Sequence, residues 1–497
     1  MPNNNEFPVV DLRTAIQYLE NYPDEIVATD VEVDPHAELS GVYRHVGAFG
    51  TVQRPTRLGP AMLFNKVKGY DDVRVLIGLL ASRGRVARLL NTTKEQLPFV
   101  LKDSVMNPLP PKEIASEQAP VHEVVHYATD PDFDILKILP APTNTEEDAG
   151  PYFTMGMCYA ADPETGEYDV TIHRLCVQSK DEISVFLQAG RHIGAFYEKA
   201  EKLGKPLPFS ISIGVDPAIE IGACFEPPTT PIGYDELQVA GALRGKPVDI
   251  VKCKTIDNFA IARAEVVIEG ELLPNRRVEE DQNTGVGKAM PEFPGYTGAA
   301  NPSLPIIKVK AITHRRHPIL QTCIGPSEEH TNMAGIPTEA SILQMTERAL
   351  PGLVKNVYAA SPGTGKYVAI LQINKTRPAD EGRQRQAALI AFTAFPELKH
   401  CFLVDADVDI YDMNDVMWAM TTRFQSDVDV VSIPGVRCHP LDPSSDPAYA
   451  TSIRDHGIAT KTIFDCTVPY HLREHFQRSH FKDVDVKRFL PDFDSDA

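Results

Sequence analysis

Three aspartates at alternate positions, Asp405, Asp407 and Asp409, close the apolar run FLVDADVDI. Carboxylates spaced this way at the end of a strand can hold a divalent cation, as in metal-dependent glycosyltransferases. The same run also reads as a strand end whose carboxylates are simply solvated. A second candidate, SPGTGKYV, sets Lys366 behind a glycine-rich turn. A phosphate-binding loop would need Gly at 360 and Ser or Thr at 367. The chain has Ala360 and Tyr367 there, which rejects that chemistry. No GxGxxG follows a strand-like run, so a dinucleotide-binding unit has no support either. The eight cysteines are never closer than 18 residues apart, and no CxxC occurs. Zinc ribbons and dense disulfide frameworks are thereby excluded, leaving reduced, mostly buried thiols.

These residues must be held by elements, and the apolar spacing says which. DLRTAIQYLENY (11–22) and YDDVRVLIGLLASRGRVARLL (70–90) carry helical periodicity. Proline clusters follow, at Pro108, Pro110 and Pro111 and again at Pro140 and Pro142. Such clusters fix extended loops and exclude helix. The next stretch is β-like: YDVTIHRLCVQ, LPFSISIGV, AEVVIEGELL and LPIIKVKAIT are rich in Val and Ile and bounded by Gly or Pro. The last third alternates types. IPTEASILQMTERAL is helical with a cap-like Thr338, KYVAILQI a strand, RQAALIAFTAF a helix, HCFLVDADVDI a strand and DMNDVMWAMTTRF a helix. That is an α/β layer pattern. FLPDFDSDA at the end reads as a loose acidic tail.

The 497 residues suggest about three domains at roughly 150 residues each. Hydrophobic residues make up 43% and charged residues 24%, enough to build packed cores. With 49 Lys+Arg against 68 Asp+Glu the formal charge is −19, which argues against nucleic acid or an anionic membrane as partner. No apolar run reaches about 18 residues, and the start, MPNNNEFPVVDL, lacks a basic segment followed by an apolar one. A cytoplasmic protein without a membrane span is the expectation.

Eight segments, in order along nearly the whole chain, resemble the UbiD-type decarboxylases that use prenylated flavin mononucleotide (prFMN). They are GVYRHVGAFGTVQRPTRLGPAM (41–62), DVTIHRLCVQ (169–178), GRHIGAF (190–196), FEPPTTPIGYDEL (225–237), GKAMPEFPGYTG (287–298), GPSEEHTNMAGIPTEASI (325–342), DVDIYDMNDVMWAMTTRF (407–424) and TIFDCTVP (462–469). The branch of protocatechuate (3,4-dihydroxybenzoate) and gallate decarboxylases is the nearest in pattern. The resemblance implies an α/β (α+β multidomain) fold: an N-terminal α/β domain (1–124), a central split β-barrel of flavin-reductase type with the cofactor and metal site (125–322), and a C-terminal α/β domain (323–497). It implies a carboxy-lyase acting non-oxidatively and reversibly on a hydroxybenzoate, supplied with cofactor by a flavin prenyltransferase and assembled as a homo-oligomer. An Asp-x-Asp glycosyltransferase and an ordinary flavin oxidoreductase are the competing readings.

The same resemblance assigns residues. Asp169, His192 and Glu236 would hold Mn²⁺ or Mg²⁺ against the flavin phosphate, with K⁺ nearby; a mixed oxygen and nitrogen set suits these ions better than Zn²⁺. Many relatives have Asn where this chain has Asp169. Glu292, on the MPEFPGY loop, would be the catalytic acid, positioned by Arg174. In a regular strand Arg174, five residues after Asp169, faces the other way, so a bulge or strand end must intervene if both serve one site. The usual partner acid of the family maps to Gly287, which leaves the carboxyl–guanidinium–carboxyl arrangement incomplete. His330 and Lys366 would then share proton handling and bind ring hydroxyls, Arg191 would orient the substrate carboxylate, and Phe225 and Arg423 would contact the cofactor, Arg423 at its phosphate.

Overall fold

The structure is a computed structural model that describes residues 7–48, 50–51, 58–187 and 191–491. Six antiparallel strands close a barrel at its centre. In order around it they are Val266–Val278, Leu207–Ile213, Tyr152–Ala161, Tyr168–Ser179, Glu182–Val185 and Leu304–His314, which pairs back to the first. Side-chain alternation explains why these segments form strands. In Tyr168–Ser179, Val170 and Ile172 pack into one core, while Leu175 and Val177 pack into another with Phe209, Ile211 and Ile268. Such a strand is buried on both faces, so apolar residues fall at both parities along it. The helix His192–Lys202 lays Ile193, Phe196 and Ala200 into the second core.

On the N-terminal side a four-stranded sheet runs Ile26–Thr29, Ala61–Phe64, Arg74–Ile77 and Ile319–Thr322. Its last strand comes from far along the chain and pairs parallel with Arg74–Ile77. That sheet corrects the single helix expected over 70–90. Arg74–Ile77 is a mostly buried strand, Gly78 turns the chain at φ +79°, and only Arg83–Leu89 is helical. Three residues of Val/Leu/Ile type suit either element; a partner strand on each side decides for β. The first helix stands where expected, Leu12–Leu19, opened by a capping box between Asp11 and Thr14.

The C-terminal part is a five-stranded sheet ordered Val354–Ala359, Val368–Ile373, His400–Asp405, Ile458–Cys466 and Val430–Arg437, parallel in the middle. Helix Arg383–Ala394 packs Ala387, Ala388 and Ala391 against Leu371 and Leu403, and helix Met413–Arg423 packs Val416 and Ala419 with Ile370 and Val404. Alternate residues of one strand thus feed two faces, as an α/β sandwich requires. The long helix Glu328–Ala349 joins the parts, and it corrects a second expectation. It begins ten residues before Thr338, with Ser327 as its cap and Pro337 inside it. His330 therefore stands on a first helical turn, its amide held by Ser327 Oγ at 3.3 Å. Of the expected loose tail, residues 492–497 lie outside the described residues. No helix among the described residues is long and apolar enough to cross a membrane.

Candidate active site

Arg174 donates from Nη1 to Glu292 Oε1 at 2.6 Å and from Nη2 to Glu280 Oε2 at 2.7 Å. The expectation of an incomplete triad is corrected by this contact. Glu280, which sequence reasoning missed, supplies the second carboxylate. Gly287, where the family acid maps, instead donates its amide to Asp281 Oδ2 at 2.8 Å and closes the turn between Glu280 and the loop. The acidic run Glu279–Glu280–Asp281 ahead of that turn was the available signal. Glu280 is fully buried and also accepts from Tyr152 OH at 3.0 Å and from the Asn301 amide at 2.9 Å. Its lone pairs are thereby occupied, and the guanidinium is held in one orientation.

Glu292 sits in a tight loop. Its amide donates to Tyr296 O at 2.9 Å, and Gly295 turns the chain at φ +95°. Burial raises the Glu292 carboxyl above its ordinary range, Arg174 pulls it back, and the Glu280 charge adds to the rise. Arg174 engages only Oε1, so Oε2 is the oxygen left to carry a proton.

A cavity of 460 Å³ lies against this pair. Apolar walls come from Ile172, Phe186, Met290, Phe293 and Met333, and polar groups from Arg174, Arg191, Glu292, His330, Lys366 and His439. Phe293 organises one end: its ring centroid is 5.3 Å from that of His330, 4.7 Å from that of His439, and 5.3 Å from Lys366 Nζ. Burial pushes both imidazoles down to about 3, helped by the nearby Lys366 charge, so both are neutral at pH 7. The rejected phosphate-loop motif has a packing role instead. Gly365 has φ +73°, and a Cβ there would stand 2.3 Å from Thr331 O, so the turn presents Lys366 only with glycine in this place. Arg191 pairs with Glu226 and, at 3.3 Å, with Glu397. Both terminal nitrogens are engaged, which fixes the guanidinium as part of the wall.

Asp169, His192 and Glu236 come from three elements. Asp169 is the second residue of its strand, His192 opens the helix that Arg191 caps, and Glu236 precedes the helix Leu237–Arg244. All three are buried, with one ligand atom of each within 4.8 Å of the others. His192 Nδ1 is 2.6 Å from Asp169 Oδ1, while His192 Nε2 is buried without a hydrogen-bond partner. Burial and the nearby Asp169 and Asp235 charges raise the Glu236 carboxyl well above its usual range. Two crowded, buried carboxylates with an orphan imidazole nitrogen fit a divalent cation of Mn²⁺ or Mg²⁺ type. The register of Tyr168–Ser179 against Tyr152–Ala161 slips between Phe153 and Gly156, opposite Arg174, and the extra residue belongs to Tyr152–Ala161. Alternation within Tyr168–Ser179 is therefore unbroken: Asp169, at the start of the strand, and Arg174 keep opposite faces, and Arg174 lines the cavity.

Two expected cofactor residues do not join this cluster. Phe225 is buried in the core with Leu237 and Ala240. Arg423 donates to Asp405 Oδ2 at 3.0 Å and to both Asp407 oxygens at 2.8 and 2.7 Å. This lines a separate 430 Å³ cavity of the C-terminal sheet, where Arg478 adds a further bond to Asp407 at 3.0 Å. The same contacts overturn the Asp-x-Asp transferase reading, because the carboxylates a metal would need are already neutralised by guanidinium groups. Among the described residues, Asp169, His192 and Glu236 are the only group of three or more such side chains placed to hold an ion.

Comparison with known proteins gives the family. Three family models match in order: the N-terminal domain of 3-octaprenyl-4-hydroxybenzoate carboxy-lyase over residues 17–104, its Rift-related domain over 112–328 and its C-terminal domain over 331–466. The chain is 55% identical to a gallate decarboxylase of Lactiplantibacillus plantarum across 97% of this chain and 99% of that one. The apo structure of a 3,4-dihydroxybenzoic acid decarboxylase from Enterobacter cloacae superposes with a TM-score of 0.92 at 58% identity, covering 98% of this chain and 99% of that chain. An evolved dimeric form of the UbiD-class enzyme HmfF from Pelotomaculum thermopropionicum, in complex with prFMN, gives 0.80 at 33% identity, over 95% and 97% of the two chains. With the barrel, the three matched domains and this similarity over almost its full length, the chain belongs to the UbiD family of carboxy-lyases.

Proposed function

We propose that this carboxy-lyase removes CO₂ reversibly and without oxidation from a hydroxylated benzoic acid. Protocatechuate, giving catechol, is the foremost substrate and gallate the near alternative. The observation that carries the reading is the Glu280–Arg174–Glu292 chain facing a cavity that also presents His330 and Lys366. Asp169, His192 and Glu236 would hold a Mn²⁺ or Mg²⁺ ion gripping the phosphate of prFMN, with K⁺ as a second ion. Bound there, prFMN supplies the electron sink for the pair left behind when CO₂ departs, a charge no side chain here could hold.

The chain's own residues do the rest. Phe186, Met290, Phe293 and Met333 keep water from the ring. Arg191, anchored by two carboxylates, orients the substrate carboxylate with its remaining N–H groups. Lys366 donates to a ring hydroxyl and stabilises negative charge on it. His330, neutral and facing the cavity, accepts a hydroxyl hydrogen bond. Arg174 holds Glu292 at Oε1, and Glu292 delivers its proton from Oε2 to the ring carbon that lost the carboxylate. High bicarbonate should drive the reverse carboxylation, since a catalyst serves both directions. A flavin prenyltransferase supplies the cofactor, the enzyme works in the cytoplasm, and it assembles as a homo-oligomer.

The test is a panel of hydroxybenzoates with CO₂ release measured, on protein co-expressed with a flavin prenyltransferase and on protein made without it. The co-expressed protein should carry a modified-flavin absorbance and be active, with protocatechuate or gallate the best substrate. Undiminished turnover by flavin-free protein would reject the reading, and activity with plain FMN and a reductant would replace it by an oxidoreductase.

A further inference from the structure

One buried carboxylate behind the cavity wall does more than anchor Arg191. Glu397 lies between the helix Arg383–Ala394 and the strand His400–Asp405, and it is 5% exposed. Its Oε1 accepts from Arg191 Nη2 at 3.3 Å, and its Oε2 accepts from Lys366 Nζ at 3.2 Å and lies 3.3 Å from His439 Nε2. The three groups come from different places: Arg191 caps a helix against the barrel, Lys366 follows a turn of the C-terminal sheet, and His439 follows the strand Val430–Arg437. One side chain therefore ties the barrel to the C-terminal part across the active site.

The backbone decides which hydrogen His439 carries. The Leu441 amide donates to His439 Nδ1 at 3.0 Å, so Nδ1 presents a lone pair. A neutral imidazole has a single N–H, which then belongs to Nε2, the nitrogen 3.3 Å from Glu397 Oε2. Lys366 Nζ, 3.5 Å from Nε2, finds no lone pair there, and its bond goes to Glu397. His330 differs: among the described residues no hydrogen bond to its ring nitrogens is recorded, and only its backbone amide is tied, to Ser327.

We propose that Glu397 is a positioning residue that holds Lys366 and Arg191 in register beside His439, whose Nε2–H form the Leu441 amide sets, so that the ring hydroxyls of the substrate meet donors on this wall and an acceptor, His330, on the other. The inference rests on the hydroxybenzoate reading for its substrate, but the geometry of the wall does not.

Neutron diffraction, or nitrogen-15 NMR of histidine-labelled protein, reads the tautomer directly. A hydrogen on His439 Nε2 and none on Nδ1 supports the donor wall beside Glu397; a hydrogen on Nδ1 overturns it. In the prFMN-loaded enzyme, Glu397→Gln should raise KM for protocatechuate about tenfold while kcat changes less than about threefold, with Glu397→Asp recovering part of the loss. FMN affinity, followed by flavin fluorescence, should stay within about twofold, because Glu397 touches none of the metal-holding residues. A fall in kcat with KM unchanged, or a parallel loss of FMN binding, would mean a merely structural role and overturn the assignment. If Glu397→Gln does not fold, Glu397→Asp decides by the same separation of KM from kcat. If the loaded wild-type enzyme releases CO₂ from no hydroxybenzoate, the functional reading falls while the tautomer result stands.

Discussion

At the scale of single residues, the controlling quantity is the proton on Glu292. Glu292→Gln should keep flavin binding and lose about 10²–10⁴-fold in turnover, because an amide cannot deliver the proton. Full activity with verified cofactor occupancy would refute the assignment. The pH dependence follows from the neighbours. The acid form is the working one, so turnover is complete below the Glu292 pKa and falls as pH rises through it. Burial lifts that limb above the ordinary carboxyl range, and the Glu280 charge lifts it further. Glu280→Gln removes that charge and should move the falling limb of kcat to lower pH, a shift visible in a pH–rate profile. A limb that stays put would disconnect Glu280 from the proton. Arg174, Glu292, His330 and Lys366 were legible in the sequence through family resemblance. Glu280 was not, because the turn capped by Asp281 moves the second acid to a position no fixed spacing anticipates. Glu397 and His439 were invisible for a related reason, since each acquires its meaning from partners 31 to 206 residues away.

At the scale of elements, the active site depends on how the helix Glu328–Ala349 is docked. Gly365 lets the Lys366 turn approach it to a distance no Cβ allows. Gly365→Ala should cost about 1–3 kcal/mol from the positive φ alone and displace Lys366. Thermal unfolding and kcat/KM should fall together, and unchanged kinetics would show that the turn does not place the lysine. The start of the helix is pinned from the other side. Glu329, beside His330, accepts the amides of Gly78 at 2.9 Å and Leu80 at 3.0 Å, and burial raises its carboxyl to about 7. Glu329→Gln can accept only one of those hydrogens, so exchange of the Gly78 or Leu80 amide should speed up about tenfold, a loss of about 1 kcal/mol. Equal protection in both proteins would contradict the tie. The strands named from the sequence stand where expected because β-branched runs bounded by Gly and Pro are local signals. The sequence misjudged 70–90 and the start of the long helix because the deciding partners, the strand Ile319–Thr322 and the Gly78–Leu80 turn, are remote in sequence.

At the scale of the whole molecule, the proposed metal site gathers three buried side chains from three elements, whose charge one ion would neutralise. Dialysis against a chelator should lower FMN affinity at least about tenfold, and Mn²⁺ should restore it, as followed by flavin fluorescence. Asp169→Ala should reproduce the chelated state and resist rescue; FMN binding indifferent to metal would remove the ion from the account. By itself the sequence determined the three-part α/β architecture, the acidic charge balance and the family, because these rest on composition, on periodicity and on motifs spread over nearly the whole chain. Tertiary structure alone decided which charges meet. It paired Asp405 and Asp407 with Arg423 and Arg478 instead of a metal, completed the triad with Glu280, and gathered Asp169, His192 and Glu236 within reach of one ion. The physical reason is range: apolar patterning is written residue by residue, whereas the energy of a buried charge is set by whichever opposite charge the fold brings to within a few ångströms.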